Sequence, residues 1–266
     1  MYILRLSFCG AAYHGWQIQD DVPTIQGTLH RALLQIFDVS DLPPPSGCGR
    51  TDEGVHAVEF LATVRAVKEI APDNLRMGLN SLLPPDIRVM HVERVPGYRN
   101  ARTLVAGKHY RYLICRTDTL SPFTEHLVWR VHYPLDIEAM EEGLAHLIGT
   151  NDFKSFQASN TEVEETVRTI YNAALQEKGH LVSVDVVGDG FLKHMVRIVV
   201  GTLVAVGRRT IRPDDIPAIR DARDRSRAGM TAPGKGLYLF RLFRDEQEIA
   251  GYTIPPLSTD FIWQCK

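Results

Sequence analysis

Gly47-Cys48-Gly49-Arg50-Thr51-Asp52-Glu53-Gly54-Val55-His56-Ala57 is a short polar core set among three glycines, and it leads straight into the apolar stretch 55–67. Glycines relax the backbone limits of a tight turn. A tight loop feeding a strand can present a single carboxylate from a rigid support. Residues 41–49, rich in Pro and Gly, read as loop. Residues 55–67 read as a strand with mixed faces.

Working outward, residues 2–8 alternate Tyr, Leu, Leu, Phe against Ile, Arg, Ser, the period of a strand. Thr24 suits the N-cap of a helix carrying Ile25, Leu29, Leu33 and Ile36 on one stripe. Pro72 suits the first turn of a second helix with Leu75, Leu79 and Leu82 inward, stopped by Pro84-Pro85. Residues 87–95 alternate again. The second half repeats the theme: strands at 109–115 and 127–132, then a helix capped by Asp136 with Ile137, Met140, Leu144 and Leu147 inward, ended by Gly149. A hairpin pairs 168–177 with 180–187 over Lys178-Gly179, a helix covers 191–206 and ends at Gly207, and 236–243 forms a last strand. The expected fold is α+β: two ferredoxin-like (RRM-like) halves with mainly antiparallel sheets and helices on one face, forming a central cleft. Domain 1–102 carries the glycine-rich loop, and domain 103–266 completes the cleft.

With 44% hydrophobic and 23% charged residues in 266, the chain can bury a sizeable core. The N-terminus lacks the pattern of a secretory signal. The most apolar helical stretch is interrupted by Lys193, His194 and Arg197, which argues against a membrane span. A cytoplasmic protein is expected. Cys9, Cys48, Cys115 and Cys265 form no C-x-x-C pair, so they read as reduced thiols. The ten histidines show no ligand spacing, and nucleotide-loop and nucleophile-elbow motifs are absent, so no metal and no cofactor is implied. A net charge of −2 means that RNA binding would require the positive charge to be concentrated on one face.

Asp52 admits two readings. Spacing alone favours a surface turn in which the carboxylate bonds its own backbone. The alternative is an ionised nucleophile, kept charged by Arg50 two residues earlier. The stretch Gly49–Ala57, however, resembles the active-site signature of the TruA family of tRNA pseudouridine synthases, Gly-Arg-Thr-Asp-x-Gly-Val-His-Ala. Five further segments resemble that family in order: Phe8 to Gln17 with Gln26-Gly27, Lys108 to Tyr112, Asn151 to Phe156, Phe191 to Arg197, and Gly236 to Leu239.

The resemblance implies that the chain isomerises uridine to pseudouridine in the anticodon stem-loop of tRNA, at tRNA positions 38, 39 and 40. Asp52 would be the catalytic residue, Tyr110 the ring packed on the target uracil, and Arg197 a partner for Asp52 or for the target phosphate, with the same two options for Arg50. The implied partners are tRNA and a second copy of the chain in a homodimer; neither a membrane nor a small-molecule cofactor is implied. Two positions depart from the family pattern. Glu53 replaces the usual Ala and is expected to face solvent or pair with a base, since a second inward carboxylate would raise the proton affinity of Asp52. Tyr98-Arg99-Asn100-Ala101-Arg102 stands in place of Phe-His-Ala-Arg. Three more features have two readings each. His14 and Trp16 either touch RNA or pack the opening loop, and the charge run Arg208 to Arg212 either binds phosphate or is solvated at a helix end, the latter favoured. A non-catalytic RNA-binding module is the competing function class.

Overall fold

The structure, a computed structural model, describes residues 1–159, 161 and 163–260. It is α+β, and its strands pair mostly antiparallel. The chain groups into two compact units, Met1–Ala106 with Tyr238–Arg244, and Gly107–Leu237 with the residues from Asp245 onward.

The first unit contains β1 (Tyr2–Phe8), α1 (Ile25–Phe37), β2 (Ser46–Gly47), β3 (His56–Val64), α2 (Pro72–Leu82) and β4 (Ile87–Arg94). Strand β1 lies between β3 and β4 and is antiparallel to both. Its alternation is real: Tyr2, Leu4, Leu6 and Phe8 are buried, and the residues between them are partly exposed. Thr24 caps α1 by accepting a hydrogen bond from the Gly27 amide at 3.2 Å. Pro72 opens α2 as expected, because its missing N–H costs nothing in a first turn. Two inward positions are corrected. Ile36 is only partly buried while Phe37 is fully packed, and Leu82 is exposed while Leu83 is buried. Phe37 closes the last turn of α1, whereas Leu83 is the extended residue that follows α2. The segment 41–49 is not all loop, since β2 pairs with β3 through Ser46↔Thr63 and Gly47↔Ala62.

The second unit contains β5 (Gly107–Arg116), β6 (Trp129–Val131), α3 (Ile137–Ala145), β7 (Gly149–Asp152), β8 (Val167–Lys178), β9 (Leu181–Gly188), α4 (Met195–Gly207) and α5 (Ile216–Asp221). Its antiparallel order is β5-β9-β8-β7, with β6 beside β5 in parallel. The Asp136 carboxylate caps α3 by accepting from the Ala139 amide at 3.1 Å. Gly179, with φ +61°, turns the β8–β9 hairpin. Helix α4 begins at Met195, four residues later than expected, because His194 takes a left-handed conformation (φ +61°) and interrupts the turn before it. After α5 the chain returns to the first unit, where β10 (Leu237–Phe243) runs parallel to β3 through Tyr238↔His56 and Leu239↔Ala57. A last short helix, α6 (Glu246–Ala250), belongs to the second unit. Cys9, Cys48 and Cys115 are free thiols; Cys265 lies outside the described residues.

The second unit buries a charge cluster. Arg111 Nε and His109 Nε2 both meet Asp185 Oδ1, at 2.6 and 2.7 Å, and Ser183 Oγ donates to Asp185 Oδ2 at 2.8 Å. Arg111 Nη2 donates to the Pro255 carbonyl at 2.7 Å, and Tyr252 Oη lies 2.9 Å from His109 Nδ1. His109, Arg111 and Asp185 are all buried. A buried charge that loses its partner retains its desolvation penalty without compensation. Asp185→Ala is therefore expected to destabilise the protein by about 3–5 kcal/mol, read as a lowered urea midpoint.

Candidate active site

The glycine-rich loop is held at both ends by the sheet. Before it, Cys48 donates its amide to the Leu61 carbonyl at 2.9 Å, and Gly47 packs against Trp16 and Phe60 so closely that a β-carbon would lie 2.7 Å from the indole. After it, the chain enters β3 at His56. Between these anchors the Val55 amide closes a turn on the Asp52 carbonyl at 3.2 Å. Gly54, with φ +73°, occupies the third position of that turn, where an L side chain is strained. Glu53 sits at the outward corner with its side chain 74% exposed, 3.6 Å from the His14 ring. It therefore faces solvent and meets a base, as the sequence led us to expect.

A second segment clamps this turn by its backbone. Trp16 donates its amide to the Thr51 carbonyl at 3.1 Å, and Gly54 donates to the Tyr13 carbonyl at 3.2 Å. Gly15 has φ +82°, and a β-carbon there would lie 2.2 Å from the Thr51 oxygen. At Gly10 the corresponding distance to the Val55 oxygen is 2.0 Å, and the Gly10 amide donates to His56 Nδ1 at 3.1 Å. That bond makes Nδ1 the acceptor and leaves the proton of the neutral ring on Nε2. His56 is buried and stacks on Tyr238 at 4.6 Å. Gln26 braces the clamp from α1: its Oε1 accepts from the Ile18 amide and from Gln17 Nε2, and its Nε2 donates to the Pro45 carbonyl. Tyr13 Oη donates to Asp86 Oδ1 at 2.7 Å; burial and this carboxylate push the phenol above its ordinary pKa, so it stays protonated. The Asp52 side chain is half-buried on this frame.

Tyr110 and Arg197 stand on the second unit. Tyr110 is buried on β5 and meets Phe191 edge to face, with centroids 4.9 Å apart. On the same face Tyr112 donates to the Pro233 carbonyl at 2.7 Å. Burial raises the Tyr112 phenol well above its usual range, and the Arg197 charge opposes that rise. Arg197, in the first turn of α4, donates Nε to the Ala232 carbonyl at 2.7 Å, while the Ala232 amide donates back to the Arg197 carbonyl. Arg197 is half-buried and aligned by backbone, unlike a freely solvated helix charge.

Three curated relatives span nearly the whole chain. Proteins named tRNA pseudouridine synthase A from Acetivibrio thermocellus and Geotalea daltonii are each 39% identical, over 90% of this chain and 98% of their own length. The Bacillus subtilis protein of that name is 38% identical over 90% of this chain and 97% of its own. The chain belongs to the tRNA pseudouridine synthase A family. A family model described as tRNA pseudouridine synthase also matches residues 144–243. That span contains Arg197 but not the Asp52 loop. A solved Cbf5-Nop10-Gar1 complex aligns at a TM-score of 0.42 and 14% identity, over 92% of this chain and 50% of that chain. That likeness is too remote to inform the site.

The family's motifs take distinct physical roles in this chain. Trp16 is a packing residue, buried against Phe60 at 4.3 Å, whereas His14 is exposed. The pairing anticipated between Arg50 and Asp52 is not formed: Arg50 is exposed and enters no ion pair among the described residues. The Arg208 to Arg212 run is largely neutralised, with Arg208 over the Tyr133 ring at 4.6 Å, Arg209 on Asp136 at 3.1 Å and Arg212 on Asp215 at 2.8 Å. Asn100, in the departing segment, accepts from Ser46 Oγ at 3.1 Å and so supports the entry to the loop. Phe153 and Phe156 are core residues, and Ser155 Oγ ties them to Arg220 and Asp224. No cluster of metal-ligating side chains occurs among the described residues, and none of their helices is long and apolar enough to cross a membrane. Sequence reading missed the Asp185 cluster, although a lone carboxylate amid Val182, Val184, Val186 and Val187 was a usable signal.

Two substitutions separate the frame from the surface. Gly15→Ala forces a β-carbon onto the Thr51 carbonyl and shifts the Asp52 turn, so kcat is expected to fall about a hundredfold. Glu53→Ala removes only an exposed side chain, and kcat should stay within about twofold of the parent. Steady-state kinetics on unmodified tRNA reads both.

Proposed function

We propose that this chain isomerises uridine to pseudouridine in the anticodon stem-loop of tRNA, with the Asp52 carboxylate as nucleophile. The observation that carries the reading is Asp52 itself, half-buried on a turn that glycines and backbone hydrogen bonds hold, within a chain of the tRNA pseudouridine synthase A family. The isomerisation breaks the N1–C1′ bond of uridine, turns the base, joins C5 to C1′, releases the C5 hydrogen as a proton and leaves N1 protonated. Electrons balance within the substrate and no group is imported, so the chemistry requires no redox partner. Asp52 acts at C1′ of the ribose, at C6 of the uracil, or by assisting elimination across the ribose.

A paired base is inaccessible to a carboxylate, so the target nucleotide is flipped out at a cost of a few kcal/mol. Tyr110 offsets part of that cost by packing against the uracil, a contact worth about 1–3 kcal/mol, and Arg50 and Arg197 add charge toward the phosphate backbone. Arg50 is suited to this by its exposure, and Arg197 by its backbone-aligned guanidinium. We further infer ferredoxin-like units of the RRM type and a cytoplasmic homodimer in which one tRNA contacts both copies. The shape of the tRNA, more than its local sequence, then selects the uridines.

Tritium placed at uridine C5 of unmodified tRNA reports the reaction directly, because closing the C5–C1′ bond expels it. Asp52→Ala is expected to bind tRNA comparably while tritium release falls at least about a thousandfold. Release near the parent rate would remove Asp52 from the mechanism.

A further inference from the structure

Strands β5 and β9 pair without the alternation that ordinarily fixes register. Every residue of β9 from Val182 to Gly188 is buried, as is every residue of β5 from His109 to Ile114. A strand with one apolar face resists slipping because a shift of one residue turns that face to water. Burial on both faces removes this resistance. What remains is polar: Arg111 stands directly across from Asp185 in the ladder, with their side chains 2.6 Å apart, and His109 reaches the same carboxylate oxygen. Fixing registry is the best-attested use of buried polar groups. A slip of two residues would keep each face inward yet separate the pair by about 7 Å, leaving two buried charges uncompensated.

The same slip would carry Tyr110, paired with Val186 and pointing to the opposite face, an equal distance along the sheet. The cluster is closed by the segment after α6. The Pro255 carbonyl accepts from Arg111 Nη2 and from Gln176 Nε2, the Leu257 amide donates to Gln176 Oε1 at 2.7 Å, and Tyr252 Oη contacts His109. This segment reaches both β5 and β8, through His109, Arg111 and Gln176.

We propose that Arg111 and Asp185, closed over by the Tyr252–Leu257 segment, are positioning residues that lock the register of β5 and so place Tyr110 for the reaction. This rests on the reading of Tyr110 as the ring that meets the target uracil. Three readouts on full-length variants test it: single-turnover tritium release, tRNA binding, and NMR cross-strand contacts between Tyr110 and Val186. Arg111→Met combined with Asp185→Leu removes both charges together, which costs less than removing one, while His109 Nε2 and Ser183 Oγ lose their shared acceptor. In that double variant tRNA binding should stay within about threefold, the Tyr110–Val186 contacts should weaken, and the rate should fall about tenfold or more. Asp185→Asn keeps an oxygen acceptor for Arg111 and should show the reverse: a lower melting temperature, intact contacts and a rate near the parent.

Parent contacts and parent rate in the double variant would overturn the lock. So would a tenfold loss in Asp185→Asn while it is still folded. Should the double variant not fold, Asp185→Asn alone decides, on the same criterion. Displaced contacts with a parent rate would leave the lock standing and overturn the role of Tyr110 instead.

Discussion

The placement of Asp52 depends on the contact of one backbone with another. Gly10 and Gly15 lie so close to the carbonyls of Val55 and Thr51 that neither position has room for a β-carbon. Side-chain contacts can relax through rotamer changes, but two main chains in contact cannot. The Trp16–Thr51 and Gly54–Tyr13 hydrogen bonds then fix the turn at two points on either side of the carboxylate. A reactive side chain works only when its geometry is prepared in advance, and this frame sets the backbone position of Asp52 through main-chain contacts.

The second unit achieves order by a different route. Its strands β5 and β9 are buried on both faces, an arrangement that gives cohesion but little specificity. The carboxylate of Asp185 supplies what the apolar residues lack, because it can satisfy Arg111, His109 and Ser183 together in one arrangement. The two units thus restrain their chains by different means, close backbone packing in one and a buried ion pair in the other.

The elements legible in the sequence were those with a strong period or a cap. Strand β1 announced itself by alternation, and α1 and α3 by Thr24 and Asp136, whose side chains bond the first-turn amides. Helix ends were less legible, since the choice between Leu82 and Leu83 is made by tertiary packing and not by local pattern. Strand β7 and helices α5 and α6 are too short to show a period. The partner of β10 is a long-range fact that no local signal carries. At the site, Asp52 read as a turn by spacing and as a nucleophile only by family resemblance; the turn proved real, with Gly54 bending it. The functional roles of Tyr110 and Arg197 likewise came from resemblance, because a buried tyrosine and a helix arginine are ordinary residues by pattern alone.

The return of β10 to the first unit has a consequence for biosynthesis. The end of β3 that continues from the Asp52 loop is paired by Tyr238 and Leu239, and the Tyr238 ring lies on His56. A ribosome releases the chain from its N-terminus at about 5–20 residues per second, so this edge waits on the order of ten seconds or more for its partner. An unpaired strand edge is open to other chains during that interval. The loop that carries Asp52 lies in the first half of the sequence, but the strand that leaves it gains its β10 neighbour only near the end of synthesis. Nascent chains therefore emerge with the Asp52 turn formed while the β3 edge that follows it is still unpaired.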